Sequence, residues 1–256
     1  MHQSSYEHMV DLVARHLGGR RPGTVLDIGS QDVNGSYRPI FDAAGWRYIG
    51  LDAAPGKNVE VVAPTPYHYP FPSNTIDLVV SGQAFEHIDY FWVSFLEMAR
   101  LLKPGGLIFL IAPSRGSEHR YPVDCWRFYP DGYRALARWG GMALIEVTTD
   151  WQPSPHPDSA EWGDSVGVFE KIRAARRADW RRVLAGPLMR SGLRLIDRAA
   201  AIERRRPGRS PRLGQPRVQI IAPQRLQCRQ RQAAGQHIHR DDDAEHRQPA
   251  AGHIVQ

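Results

Sequence analysis

Two acids of this 256-residue chain stand where a ribose could be held. Val25-Leu26-Asp27-Ile28-Gly29-Ser30 is a short apolar run ending in a glycine turn, and Tyr48-Ile49-Gly50-Leu51-Asp52 is another ending in an acid. A turn from a buried strand into a helix directs main-chain N–H groups and the positive end of the helix dipole toward the carboxyl edge of a sheet. A glycine there lets a ligand approach the main chain closely. An acid closing the next strand can accept both hydroxyls of a ribose, and Asp52 follows Asp27 by 25 residues, close to the roughly 20-residue offset of nucleotide-binding βαβ units. The structural alternative makes Gly29 a plain turn and Asp52 a cap.

Acid–base chemistry near neutral pH calls on histidine. His119, within the run from Pro113 to Tyr129, is the first candidate for a base, and His87, in Ala84-Phe85-Glu86-His87-Ile88, is the second. A solvated loop position is the alternative for His119, and packing is the alternative for His87. The run from Pro113 to Tyr129 is richer in hydrogen-bonding and aromatic groups than a mere connection needs. Tyr121, Trp126, Phe128 and Tyr129 offer flat faces to a sugar or aromatic ring, while Arg120, Asp124 and Arg127 offer groups for its polar edge. Against this, Trp126 and Phe128 could simply anchor the loop on the core, and Arg127 could pair with Asp124. No Asp/Glu/His spacing declares a metal site, so no metal ligand is assigned and a divalent ion is left open.

The elements that must position these residues are legible as runs. Thr24 to Ile28, Arg47 to Leu51, Val59 to Val62, Ile76 to Ser81 and Leu107 to Ala112 are short and apolar, as buried parallel strands are. Tyr90 to Leu102 carries Phe91, Phe95, Met98, Leu101 and Leu102 on one helical face, and Lys103-Pro104-Gly105-Gly106 stops it. A helix from about Pro130 to Trp139 precedes strands at Met142 to Thr149 and near Val166 to Phe169. Ahead of the first strand, Tyr6, Met9, Val10, Val13 and Leu17 recur at helical spacing; this helix either covers the site or packs on the sheet. Seven strands alternating with helices predict a doubly wound, mostly parallel sheet, closed by an antiparallel C-terminal hairpin.

Composition divides the chain. Residues 1–172 carry a formal charge of −6 and residues 173–256 one of +12, every lysine or arginine of the latter being arginine. The expected organisation is a catalytic domain at 1–172, an Arg-rich helical extension at 173–203, and a tail at 204–256. That tail has few aliphatics and no aromatic residue, which predicts disorder; a non-native, frame-shifted origin would account for its abrupt loss of pattern. Two distant cysteines, Cys125 and Cys228, imply neither a disulfide framework nor a zinc site and suit a reducing cytoplasm. No signal-peptide order and no membrane-length apolar stretch is present, so a cytoplasmic protein is expected.

Four ordered pieces resemble the class I S-adenosylmethionine-dependent methyltransferase family, in its type 11 small-molecule branch: Val25 to Gly29, Gly50-Leu51-Asp52, Tyr69-Pro70-Phe71-Pro72-Ser73-Asn74-Thr75-Ile76-Asp77-Leu78-Val79, and Leu101 to Gly106. The resemblance covers roughly residues 20–172. It implies a Rossmann-like fold and S-adenosyl-L-methionine as cofactor. Gly29 and Ser30 would lie beside its methionine part, Asp27 would fix the turn, Asp52 would hold the ribose, and Ser81 to Gln83 would flank the sulfonium. Gln31 departs from the family where many members have a second glycine, and Thr65, Tyr67 and His68 stand where an acid often meets the adenine. The segment from Pro113 to Tyr129 is similar to that of enzymes methylating glycan hydroxyls, so a small-molecule or glycan acceptor is expected. Two other classes are weighed. A nucleic-acid methyltransferase is suggested by the basic tail, but the Asn/Asp-Pro-Pro-Tyr/Phe motif is missing; a non-catalytic module would bind RNA or acidic surfaces through that tail. A nicotinamide enzyme is disfavoured, since GxGxxG and Tyr-x-x-x-Lys are both absent. Oligomeric state is not encoded in any of these features.

Overall fold

The computed structural model describes residues 2–63, 65–172, 187–189 and 191–193. Its elements are α1 (Gln3–Leu17), β1 (Thr24–Ile28), α2 (Arg38–Ala43), β2 (Arg47–Asp52), β3 (Val61–Val62), β4 (Ile76–Gly82), a 3-10 turn (Phe85–His87), α3 (Phe91–Leu101), β5 (Leu102–Pro113), α4 (Pro130–Gly140), β6 (Ala143–Thr149) and β7 (Asp164–Glu170). They form one seven-stranded sheet in the order β3-β2-β1-β4-β5-β7-β6. Strands β1 to β5 pair in parallel, and β7 runs antiparallel between β5 and β6. This is the expected doubly wound sheet with its antiparallel C-terminal hairpin.

The continuous apolar runs follow from burial of both sheet faces. Neighbours along a strand enter opposite cores: Leu26, Val79, Ile108 and Leu110 pack with Phe95 and Met98 of α3 and Tyr133 of α4. Val25, Leu78, Val80, Phe109 and Ile111 pack instead with Met9 and Leu12 of α1 and Phe41 of α2. Side chains alternate along a strand with a period of two, so each run supplies both layers at once.

Two expectations need correction. The buried face of α1 is Ser4, Ser5, Met9, Leu12 and Leu17, while Val10 is 44% exposed; its two serines answer to polar groups at the sheet edge. The Lys103 to Gly106 run follows the end of α3 as expected, but the next strand does not wait for Leu107: β5 begins at Leu102 and takes the run in as a bulge, its register with β4 shifting between Ile76↔Leu102 and Leu78↔Leu107. There Lys103 Nζ donates to both carboxylate oxygens of Asp77, at 2.8 and 2.9 Å. The expected extension at 173–203 and tail at 204–256 lie outside the described residues, apart from 187–189 and 191–193, which are helical. No helix among the described residues is long and apolar enough to cross a membrane.

Candidate functional site

The carboxyl ends of β1, β2 and β4 converge on a cavity of about 570 Å³. Gly29 opens it at φ +82°, and a Cβ built there would stand 2.5 Å from Cβ of Ala84, so both the turn and the close approach require glycine. The N–H groups of Gly29 and Ser30 do not point into open space. Both donate to the Leu51 carbonyl, at 2.9 and 3.2 Å, and so bind the turn to β2. Nor does a helix follow directly: α2 begins only at Arg38, so its dipole is not at this turn.

Asp27 is 3% exposed and accepts a hydrogen bond from the Tyr48 hydroxyl. Burial pushes its pKa up to about 7, with the Tyr48 bond opposing and the charge of Asp52 reinforcing the rise. Asp52 accepts from the main-chain N–H of Gln31 at 3.0 Å and of Ala53 at 2.7 Å. One oxygen of Asp52 takes each bond, so further lone pairs remain for a ligand. Ser30 and Asn58 bond reciprocally through side chain and carbonyl at 3.1 and 2.8 Å.

Of the residues expected to hold a cofactor, Asp27, Gly29, Ser30, Asp52 and Gln83 line the cavity. Ser81 does not: it is fully buried, and its hydroxyl donates to the Ile28 carbonyl at 2.9 Å, tying β4 to β1. Gln31 also lines the cavity, its side chain lying close to Gly56. Thr65, Tyr67 and His68 are not in the lining, where Pro66 and Tyr69 stand instead.

The other part of the lining comes from the 3-10 turn and the loops after β5 and β6. Glu86, His87, His119, Tyr121 and Trp162 face the cavity. Glu86 is fully buried and neither carboxylate oxygen has a hydrogen-bond partner; burial raises its pKa to about 8. His87 Nδ1–H donates to the Val123 carbonyl at 2.6 Å, and its Nε2 lies 3.6 Å from Oε1 of Glu86. Burial lowers the pKa of His87, against the opposing bond to Val123 and with the help of nearby His119. The ring of His119 packs edge-on against His87 at 4.9 Å and against Trp162 at 4.6 Å. Its Nδ1 stands 3.4 Å from Oδ2 of Asp124, which accepts its main-chain N–H at 2.8 Å.

Among the six residues expected to bind an acceptor, Tyr121 alone lines the cavity. Asp124 and Arg127 form a two-pronged ion pair at 2.6 and 2.8 Å, and Arg127 also donates to the Ser117 carbonyl, so the pair braces the loop. Trp126 donates from Nε1 to the Ile88 and Asp89 carbonyls, at 3.1 Å each, and packs on Phe91 and Trp92. Arg120 pairs with Glu118 at the surface, and Tyr129 stacks on Trp151 at 6.2 Å. Phe128 is 3% exposed in the core.

Sequence reasoning missed Glu86, His2, Trp162 and Asp164. The Glu-His pair was visible, but its burial was not. Trp162 had no local signal; it lies over Gly116, where a Cβ would meet its ring at 2.1 Å. Asp164 is fully buried and accepts from His2 at 3.1 Å, Ser4 at 2.8 Å and Gln83 at 2.7 Å. Burial works against its charge, but those bonds outweigh it and hold its pKa below the usual value. Through this knot the first turn of α1 reaches the cavity at His2, while the rest of the helix packs on the sheet.

The chain matches the methyltransferase-domain family over residues 26–110. An uncharacterized methyltransferase of Mycobacterium leprae is 29% identical over 164 residues, 56% of this chain and 58% of that protein; the chain thus spans little more than half of that relative. An uncharacterized methyltransferase of Mycobacterium ulcerans is 30% identical over 193 residues, covering 58% of this chain and 72% of that protein. The fold is similar to the Burkholderia thailandensis 1,6-didemethyltoxoflavin-N1-methyltransferase, with 1,6-didemethyltoxoflavin and S-adenosylhomocysteine bound, at a TM-score of 0.52 and 17% identity, over 66% of this chain and 79% of that one. The family match runs from β1 into β5 and so includes β1, β2 and β4, whose ends build the cavity; with the M. ulcerans relative it places this chain in the class I methyltransferase family.

Proposed function

We propose that this chain binds S-adenosylmethionine in the cavity and transfers its methyl group to a hydroxyl of a small molecule or glycan. The observation that carries the reading is that one cavity joins the Gly29 turn and Asp52 to His87 and His119. The residues present fit the cofactor. Gly29 holds the positive-φ turn on which the cavity opens, with Ala84 packed where its Cβ would stand; Asp52 keeps lone pairs for ribose hydroxyls, and about 570 Å³ is a normal ligand volume.

When bound, the cofactor supplies a methyl already activated on a sulfonium. The protein's part is alignment and exclusion of water. Tyr121 and Trp162 wall the acceptor side. His119 is assigned to take the hydroxyl proton onto a ring nitrogen, with the Asp124 carboxylate 3.4 Å from its Nδ1 to stabilise the resulting cation. His87 is the alternative base. Its Nδ1 is committed to Val123, so only Nε2 could serve.

Calorimetry with S-adenosylmethionine and S-adenosylhomocysteine tests the cofactor half, and transfer of a labelled methyl group into fractionated small molecules and glycans tests the acceptor half. His119→Ala is expected to abolish turnover while leaving cofactor affinity within about twofold. Unchanged turnover removes His119 as the base, and absence of cofactor binding removes the whole reading.

A further inference from the structure

Glu86, His87 and His119 present one ligand atom each, all within 4.8 Å of one another, at the wall of the cavity. Glu86 and His119 are 33 positions apart, so no spacing in the sequence reveals the group. We infer that these three side chains form a binding site for a divalent transition-metal ion.

Three observations support it. The first is Glu86 itself, fully buried with neither carboxylate oxygen in a hydrogen bond. A buried carboxylate without donors costs several kcal/mol unless a cation or proton meets it, and a metal ion meets it directly. The second is the tautomer of His87: because a carbonyl can only accept, Nδ1 carries the proton toward Val123, and the neutral ring therefore turns an Nε2 lone pair toward Glu86, 3.6 Å away. Metal-ligating histidines characteristically donate their other N–H in this way. The third is Asp124, whose carboxylate lies 3.4 Å from Nδ1 of His119 and can orient that ring. Neighbouring ligand atoms on one tetrahedral ion with bonds of about 2.1 Å lie about 3.4 Å apart, so side-chain movements of up to about an ångström close the site.

The donor set selects the ion. Two imidazoles and one carboxylate suit Zn²⁺, Co²⁺, Ni²⁺, Fe²⁺ or Mn²⁺, whereas Mg²⁺ and Ca²⁺ prefer an all-oxygen shell. A second grouping, His8 with Asp150 and Asp164, is less suited. Asp164 already accepts bonds from His2, Ser4 and Gln83, and His8 is bonded to Asp150 at 2.8 Å.

The inference concerns the acceptor side of the proposed site, but its test needs no turnover. The 256-residue chain, freed of metal with a chelator, is titrated with Co²⁺, and the visible d–d absorption is followed with and without competing Zn²⁺. Glu86→Gln keeps the side-chain shape while removing the ligating carboxylate; it is expected to weaken the saturable signal by more than about 10-fold, and His87→Ala likewise. Other histidines of the chain, such as His237 and His239, are unchanged between variants, so the difference between proteins isolates the site. His8→Ala is expected to leave the signal intact. Wild type and Glu86→Gln giving the same titration, or loss in His8→Ala alone, overturns the inference. Ligation and proton acceptance compete for the imidazole of His119, so a chelator also separates the two proposals. Turnover that persists without metal keeps His119 as base, whereas turnover lost on chelation and restored by Zn²⁺ or Co²⁺ transfers that role to the ion. Cofactor binding with no cobalt signal sinks the metal site and leaves the methyltransferase reading standing.

Discussion

The two sides of the cavity differ in how their polar groups are spent. Around the β1 and β2 ends, Asp52 is met by two main-chain N–H groups, Ser30 and Asn58 bond reciprocally, and the Gly29 and Ser30 amides close on Leu51. Around the 3-10 turn and the loop after β5 stand all the buried side-chain nitrogen and oxygen atoms left without hydrogen-bond partners among the described residues: both oxygens of Glu86, Nε of Arg115, Nδ1 of His119 and Nε of Arg127. An unpaired buried polar group costs about 1–3 kcal/mol. The strand-end side is therefore a finished mould, while the loop side holds polar capacity that a ligand or ion can satisfy. Cofactor binding should depend on the first and acceptor chemistry on the second.

Four variants test that division, and the largest effect is expected at Gly29. Gly29→Val forces a side chain into the 2.5 Å gap to Ala84 at a positive φ. It should lower stability by about 3 kcal/mol or more and cofactor affinity by ~100-fold or more, read by thermal melting and calorimetry; wild-type affinity would break the assignment of this side to the cofactor. Asp27→Asn comes next. Because the folded pKa of Asp27 is raised from 3.8 to about 7, its contribution is fully present below the unfolded value and fades as pH rises through about 7. Between pH 5 and 8 the wild type should lose about 2 to 3 kcal/mol relative to the variant in denaturant titrations, and parallel curves would show that Asp27 is not protonated in the fold.

On the loop side, Arg127→Ala strands the nearly buried Asp124 carboxylate. A loss of about 2 kcal/mol is expected, with cofactor affinity unchanged; a matching fall in cofactor affinity would show the two sides to be coupled. The smallest effect is expected for Trp126→Phe, which removes one N–H shared by two carbonyls at a 37% exposed ring. Stability should fall by about 1 kcal/mol or less, and acceptor KM is the constant to watch. A KM change exceeding that of Tyr121→Ala would bring Trp126, and not Tyr121, to the acceptor.

The contrast also explains what could be read from the chain. Leu107 to Ala112 and Thr24 to Ile28 are visible as strands because burial on both faces leaves no polar residue to interrupt them, apart from Asp27. Gly29 and Asp52 are visible because strand ends fix where they stand. Ser81 shows the limit: at a strand end the period of two decides between cavity and core, and its hydroxyl turned inward to Ile28. Loop orientation is set by distant partners. Trp162 over Gly116 and Asp124 against Arg127 and His119 decide which aromatic and charged groups face inward, and none of these contacts repeats with a local period. The burial of Glu86 belongs to the same class, since the loop after β5 closes on it from a separate segment, the Cys125 N–H donating to the Glu86 carbonyl at 2.7 Å.

The place of β7 in the sheet has a consequence for the order of events during synthesis. β6 pairs with β7 alone, and β7 is the strand that pairs with β5. A chain emerging from the ribosome completes β6 with no neighbour to receive it, and that strand must wait until residues 164–170 have followed. The same late segment carries Asp164, which fastens the first turn of α1 across about 160 positions of sequence. Strands β1 to β5 can thus assemble early, but the wall of the cavity closes last, when the two ends of the domain meet.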